Sequence, residues 1–209
     1  SGAIYRAYLA SGKAAPSIMA GHSLGEYSAL VCAGVIDFEA AIKLVELRGQ
    51  LMQQAVPAGT GAMFAIIGLD NDAIAKACED ASEGSVVSPV NYNSPGQVVI
   101  AGHKEAVARA GILCKEAGAK RVLPLPVSVP SHCELMAPAA EKLTEALAQV
   151  VFNEPTVPVV NNVDVKAENS AEAIKTALIK QLYSPVRWSE TINYFASEQN
   201  VTKVAEIVP

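Results

Sequence analysis

At 209 residues, half of them hydrophobic and only 18% charged, the chain can bury a sizeable core in one domain or in one domain carrying an insert. The net charge of −5 and the scattered placement of sixteen Lys and Arg residues exclude a surface that grips a polyanion, so no nucleic-acid partner is expected. No stretch approaches the roughly twenty apolar residues of a membrane span, so no membrane partner is expected, and residues 1–10 lack the basic start and apolar core of a signal peptide. Cys32, Cys78, Cys114 and Cys133 lie far apart with no C-x-x-C pair. That spacing suits free thiols in a reducing cytoplasm and speaks against a disulfide frame or a metal site.

In chain order, residues 1–10 begin as though inside a helix, with Ile4 and Tyr8 on one face and no cap before them. The far end stops on a segment, 203–208, that reads as a strand, so the chain reads as cut at both ends. A short apolar run at 17–20 predicts a buried strand, and 26–33 predicts a helix ending at Gly34. Between them stands Gly21-His22-Ser23-Leu24-Gly25. Strand, sharp turn and helix around G-x-S-x-G are the setting of a nucleophile elbow, in which Ser23 sits at a strained turn next to the free N–H groups of a helix N-terminus. On this reading Gly21 and Gly25 are both required, because the tight turn leaves no room for Cβ atoms on either side.

Asp37 is placed to cap a second helix over 38–55, whose stripe of Ala41, Leu44, Val45, Met52 and Ala55 contains Arg48. A guanidinium on an apolar face needs compensation. Either an internal carboxylate or an escape to the edge supplies it, or Arg48 clamps the carboxylate of a substrate, for which its planar fork suits better than lysine.

From residue 59 the periodicity changes. Strands are predicted at 61–68, 86–93, 97–102 and 120–127, with helices at 71–81 and 104–117 and a hairpin turn at 93–96. The order βαββαβ is that of a ferredoxin-like unit inserted into an α/β lobe. The lobe then resumes with helices at 138–150, 171–182 and 188–197 and strands at 157–161 and 203–208. The predicted division is 1–57 with 131–209 for the main lobe and 58–130 for the insert, with the ligand site in the cleft between them.

Three histidines are available as a base for Ser23. His22 is adjacent to Ser23, and successive side chains at a strand end point apart, so it packs beside the elbow. His103 opens a helix and reads as a capping or loop residue. His132 lies in the proline-stiffened loop 128–133, where the chain leaves the insert, and is the best candidate. Spacing alone identifies no acid to complete a triad.

The run from Gly21 to Leu30 resembles the active-site segment of the malonyl-CoA:acyl carrier protein transacylases, the stand-alone relatives of the acyltransferase domains in fatty acid and polyketide synthases. Residues 89–97, 129–133 and 181–183 share the similarity, which runs through essentially the whole chain. The resemblance implies an α/β-hydrolase-like main lobe with a parallel sheet and an inserted ferredoxin-like subdomain. It implies Ser23 as nucleophile, His132 as base, Arg48 as the residue that binds the malonyl carboxylate, and the Leu24 N–H as oxyanion donor. It also implies that the backbone carbonyl of Gln181 orients His132, whereas its position alone suggests a surface residue at a helix end. A neutral orienter would leave the imidazole near its ordinary pKa of roughly 6.5. Asn91 and Asn93 are expected at the cleft, where turn-forming and strand-end roles would also account for them. The family's second oxyanion donor comes from an N-terminal Gly-Gln-Gly-Ser-Gln loop, a segment not found in this sequence.

The implied partners are malonyl-CoA, as a coenzyme A thioester substrate, and acyl carrier protein, in fatty acid biosynthesis, with no permanently bound cofactor. Lys120 and Arg121 are candidates for a basic patch toward the acidic carrier. A serine hydrolase or thioesterase using the same elbow, and a non-catalytic binding module, are the alternative classes.

Overall fold

The computed structural model describes residues 1–127 and 129–207, so Ser128 of the histidine loop and Val208 of the last predicted strand lie outside the described residues. The chain opens with helix α1 (Gly2–Ala10), which buries none of its residues. Strand β1 (Met19–Ala20) follows and pairs in parallel with β6 (Val159–Val160), Met19 opposite Val159 and Ala20 opposite Val160. Both strands are shorter than the apolar runs at 17–20 and 157–161 suggest.

Helix α2 (Leu24–Cys32) starts directly after Ser23 and stops where Gly34 takes a φ of +75°, a left-handed stop that glycine adopts without a Cβ penalty. Helix α3 (Phe38–Gln54) has Asp37 at its N-cap, but the side chain makes no capping bond. It buries Ala41, Leu44, Arg48, Leu51 and Met52, so the arginine lies inside the buried face; of the expected stripe Val45 and Ala55 are only half-buried, and Leu51 takes a place there that the stripe did not include. These helices pack with α6 (Ala137–Ala148) and α7 (Ala171–Gln181) into one core that includes Tyr27, Leu30, Ile36, Leu143 and Leu178.

The chain between these parts follows the order β2 (Gly61–Ile67), α4 (Asn71–Ser82), β3 (Val87–Ser94), β4 (Gln97–His103), α5 (Lys104–Glu116), β5 (Arg121–Pro124). The four strands form an antiparallel sheet in the order β3-β4-β2-β5. Pro89 fits because β3 is an edge strand, where a missing N–H costs no ladder bond, and the register shifts between Pro89 and Asn91. One face of the sheet packs Ile66, Val98 and Ile100 against Ile74, Val107 and Cys114 of α4 and α5. The other face packs Met63, Ala65, Val90 and Val99 with Cys133, which anchors the loop next to His132.

Helix α8 (Trp188–Ser197) lies against β3, and Val186 joins that strand's edge: Val186 N–H donates to Val90 O at 2.9 Å and Tyr92 N–H to Val186 O at 3.0 Å.

Two further predicted strands change. Residues 120–127 shorten to β5, and the strand expected at 203–208 does not form over its described part, 203–207. A strand is defined by its partner. The last backbone bond before this segment among the described residues, Val201 N–H to Phe195 O at 3.0 Å, runs back to α8 and makes no ladder.

Candidate active site

The elbow is built by a close approach of backbone to backbone. A Cβ on Gly21 would stand 2.0 Å from the carbonyl carbon of Gly25, so no other residue fits there without moving the turn. Gly25 differs: a Cβ there meets nothing within 4 Å, which corrects the expectation that both glycines are sterically required. Ser23 sits at the apex with φ 53° and ψ −110°, a conformation that a non-glycine residue keeps only when its surroundings enforce it. The enforcement comes from Asn162, which accepts from Ser23 N–H at 2.6 Å and donates from Nδ2 to Gly21 O at 2.8 Å. Leu24 N–H finds no acceptor among the described residues and stands free at the first turn of α2.

His132 is buried, with a φ of 65°. Its Nδ1 lies 2.7 Å from Gln181 O, and a carbonyl can only accept, so Nδ1 carries the proton. Nε2 is therefore the acceptor for the Ser23 hydroxyl, 2.8 Å away. Gln181, expected at the surface by its position alone, is fully buried. Burial lowers the His132 pKa to about 4, against the opposing effect of the Gln181 hydrogen bond and with the Arg48 charge adding to the fall. The expectation of an ordinary imidazole is thus overturned, because loss of water outweighs one carbonyl.

Arg48 is 5% exposed, and its Nη2 donates to Ser23 Oγ at 3.0 Å and to Gln181 Oε1 at 3.1 Å. Its guanidinium lies 5.8 Å from the centroid of the Tyr27 ring, and no carboxylate pairs with it directly among the described residues. The internal ion pair considered from sequence is therefore not formed. Burial depresses the guanidinium pKa, with Tyr27 and Glu26 pulling it back. A buried cation beside the Ser23 hydroxyl, with its Nε unpartnered among the described atoms, has the chemistry to receive an anion.

A family-wide pattern described as the acyl transferase domain matches residues 3–209. The chain belongs to the acyl transferase domain family. It is 67% identical over 207 residues to the malonyl CoA-acyl carrier protein transacylase of Escherichia coli (strain K12), covering 99% of this chain and 67% of that protein. It superimposes with a TM-score of 0.92 on the acyl carrier protein S-malonyltransferase of Vibrio cholerae O1, at 70% identity, covering 94% of this chain and 64% of the other. A malonyl-transacylase solved in complex with a type II PKS acyl carrier protein gives a TM-score of 0.94 at 67% identity, covering 95% of this chain and 64% of that one. The chain thus spans about two thirds of the length of these relatives.

Within this acyl transferase domain, the other expected residues make contacts of their own outside the triangle of Ser23, His132 and Arg48. Asn93 accepts from His22 Nε2 at 2.9 Å, and the His22 ring meets Trp188 edge to face at 5.5 Å. That contact ties the elbow to β3 and gives His22 the packing role expected of it. Asn91 is buried in β3 beside Val186. His103 takes the N-cap position of α5, where its Nδ1 accepts from Val86 N–H.

Sequence reasoning missed Glu26 and Asn162. Glu26 is 2% exposed, and its Oε2 accepts from Asn162 N–H at 3.0 Å and from Gln181 Nε2 at 2.8 Å. Burial pushes its carboxyl up to about 7, against these donors and the Arg48 charge. One signal was available: Ser23-x-x-Glu26 at a helix start is a capping-box spacing. Nothing local marks Asn162.

Two surface grooves lie apart from Ser23, one lined by Asp37, Lys43 and Gln149, the other by Lys166, Arg187 and Tyr194. No helix among the described residues is long and apolar enough to cross a membrane.

Proposed function

We propose that the protein transfers a malonyl group from malonyl-CoA to the phosphopantetheine thiol of acyl carrier protein, in fatty acid biosynthesis in the cytoplasm. The observation that carries this reading is that Ser23 Oγ lies between the His132 acceptor at 2.8 Å and the Arg48 donor at 3.0 Å. In the first half-reaction Oγ attacks the thioester carbonyl while its proton passes to His132 Nε2. The oxyanion forms at the Leu24 N–H, and Arg48 turns its free donors to the malonyl carboxylate. Collapse expels the coenzyme A thiolate, which takes the proton from His132 and leaves a malonyl-Ser23 ester. In the second half-reaction the carrier thiol gives its proton to His132 and attacks the ester, and Ser23 leaves with that proton.

Gln181 holds His132 in the required tautomer through its carbonyl. Asn91 and Asn93 form the wall of the acyl-donor site, and no permanently bound cofactor takes part. Residues 1–57 and 131–209 form an α/β-hydrolase-like lobe, and residues 58–130 a ferredoxin-like insert whose strand order, β3-β4-β2-β5, supports that description. Exposed Lys120 and Arg121 are offered to the acidic carrier.

The test incubates the protein at its natural length with malonyl-CoA. A malonyl mass on the peptide holding Ser23, discharged by carrier protein faster than by water, is the expected result. Faster release of free malonate makes it a hydrolase, and no added mass makes it a binding module.

A further inference from the structure

Below the triangle of Ser23, His132 and Arg48 lies a second layer of buried polar groups, and the Gln181 side chain stands at its centre. Its Nε2 donates to Glu26 Oε2 at 2.8 Å and to Ser23 O at 3.1 Å, while its Oε1 accepts from Arg48 Nη2 at 3.1 Å. The main-chain carbonyl of the same residue holds His132. A primary amide can sit either way round, and the neighbours decide which. Reversed, its oxygen would face the Glu26 carboxyl, the Ser23 carbonyl and Asn162 Oδ1, and its NH2 would face the N–H of a guanidinium. Each of those pairs is acceptor against acceptor or donor against donor, among side chains that are all buried.

We propose that Glu26 is a positioning residue: by accepting the Gln181 Nε2–H it turns the amide oxygen toward Arg48 and so fixes the guanidinium beside Ser23, ready for an acyl donor with an acidic end. Glu26 reaches this place because the elbow brings the first turn of α2 against the end of α7, and its second bond, from Asn162 N–H, fixes the carboxyl itself. The role rests on the malonyl-transfer reading. It needs an oxygen acceptor at this point and does not need a charge. The groups facing Glu26 are Arg48 from α3, Gln181 from α7, Asn162 after β6 and Tyr27 from its own helix.

The test measures kcat and KM separately for malonyl-CoA and acetyl-CoA in the protein at its natural length. The unsubstituted protein is expected to prefer malonyl-CoA. Glu26→Met removes the acceptor at similar volume and is expected to lower the malonyl-to-acetyl ratio of kcat/KM about tenfold, the loss of one hydrogen bond to a charged group. The change should appear in the KM for malonyl-CoA.

Glu26→Gln, which keeps an oxygen for both donors, is expected to restore the ratio. Gln181→Met leaves the carbonyl on His132 and should lower the ratio as Glu26→Met does, the double variant going no lower; this arm stands even where Glu26→Met fails to fold. An equal fall for both donors, or a ratio that Gln181→Met leaves unchanged, overturns the role of Glu26. Lack of any malonyl preference in the unsubstituted protein overturns instead the reading beneath it.

Discussion

Arg48 donates to the hydroxyl of Ser23 at 3.0 Å, so the buried cation touches the oxygen proposed as the nucleophile. On the proposed mechanism the guanidinium stabilises negative charge developing on Oγ as well as receiving the acid end of a donor. Arg48→Ala is therefore expected to slow transfer from both malonyl-CoA and acetyl-CoA. The malonyl loss should be the larger by about a hundredfold, the scale of a buried hydrogen-bonded charge pair. Steady-state kcat/KM with the two donors measures it, and equal losses would remove the carboxylate clamp from the mechanism.

The pH behaviour follows from His132. With its pKa held near 4 by burial, the imidazole is already neutral at pH 6. The acid limb of the Ser23 acylation rate is expected with a midpoint near 4, and the rate should stay flat from pH 5.5 to 7.5. Rapid-quench acylation across that range tests this, and a midpoint near 6.5 would mean that water reaches the ring.

The same two buried groups oppose each other in stability. The folded His132 binds fewer protons than the unfolded one between pH 6.5 and about 4, so its contribution to stability falls as pH falls through that window. The folded Glu26 binds more protons than the unfolded one between pH 4.5 and about 7, so its contribution falls as pH rises through that window. Glu26→Gln lacks the second effect. The stability advantage of the unsubstituted protein over this variant is expected to shrink between pH 5 and pH 8, as read from paired melting curves, and a constant or growing gap would contradict the raised carboxyl pKa.

What the sequence made legible divides along a physical line. Ser23 and the stripe around Arg48 rest on local patterns, a turn flanked by apolar runs and a helical period, and each survives in the structure. Glu26, Asn162 and the side chain of Gln181 act through contacts between segments that no periodicity links. Burial of His132 likewise depends on Cys133 packing under the sheet, which a loop sequence does not reveal. The segment 203–208 shows the converse: apolar alternation suits a strand, but pairing is a tertiary event and does not occur over 203–207.

Asn162 offers a further check on the elbow. It accepts from Ser23 N–H and donates to Gly21 O, so one amide spans the turn. Asn162→Ala leaves both groups to find water or remain unpaired. It is expected to cost about 1–3 kcal/mol of stability, the penalty of an unmet buried polar group, and to slow acylation by at least roughly tenfold as Ser23 drifts from His132. Denaturant melts and single-turnover acylation read the two effects, and a variant that loses stability with unchanged acylation would show that the turn holds Ser23 without Asn162.

The two glycines of the elbow should part company under the same substitution. At Gly21 an added Cβ would overlap the Gly25 carbonyl at 2.0 Å, both partners are backbone, and nothing flexible can yield. Gly21→Ala is expected to destabilise the fold by about 3 kcal/mol or more and to abolish acylation of Ser23, since the turn must open to make room. Gly25 lies in the first turn of α2 with open space over its Cα, and it has no left-handed φ to protect. Gly25→Ala is expected to leave stability unchanged or raise it by about 0.5–1 kcal/mol, the helix preference of alanine over glycine. Thermal melts of both variants decide it. Equal destabilisation at the two positions would mean that the space over Gly25 is occupied in the working protein, and acylation by Gly25→Ala would then show whether that neighbour belongs to the site.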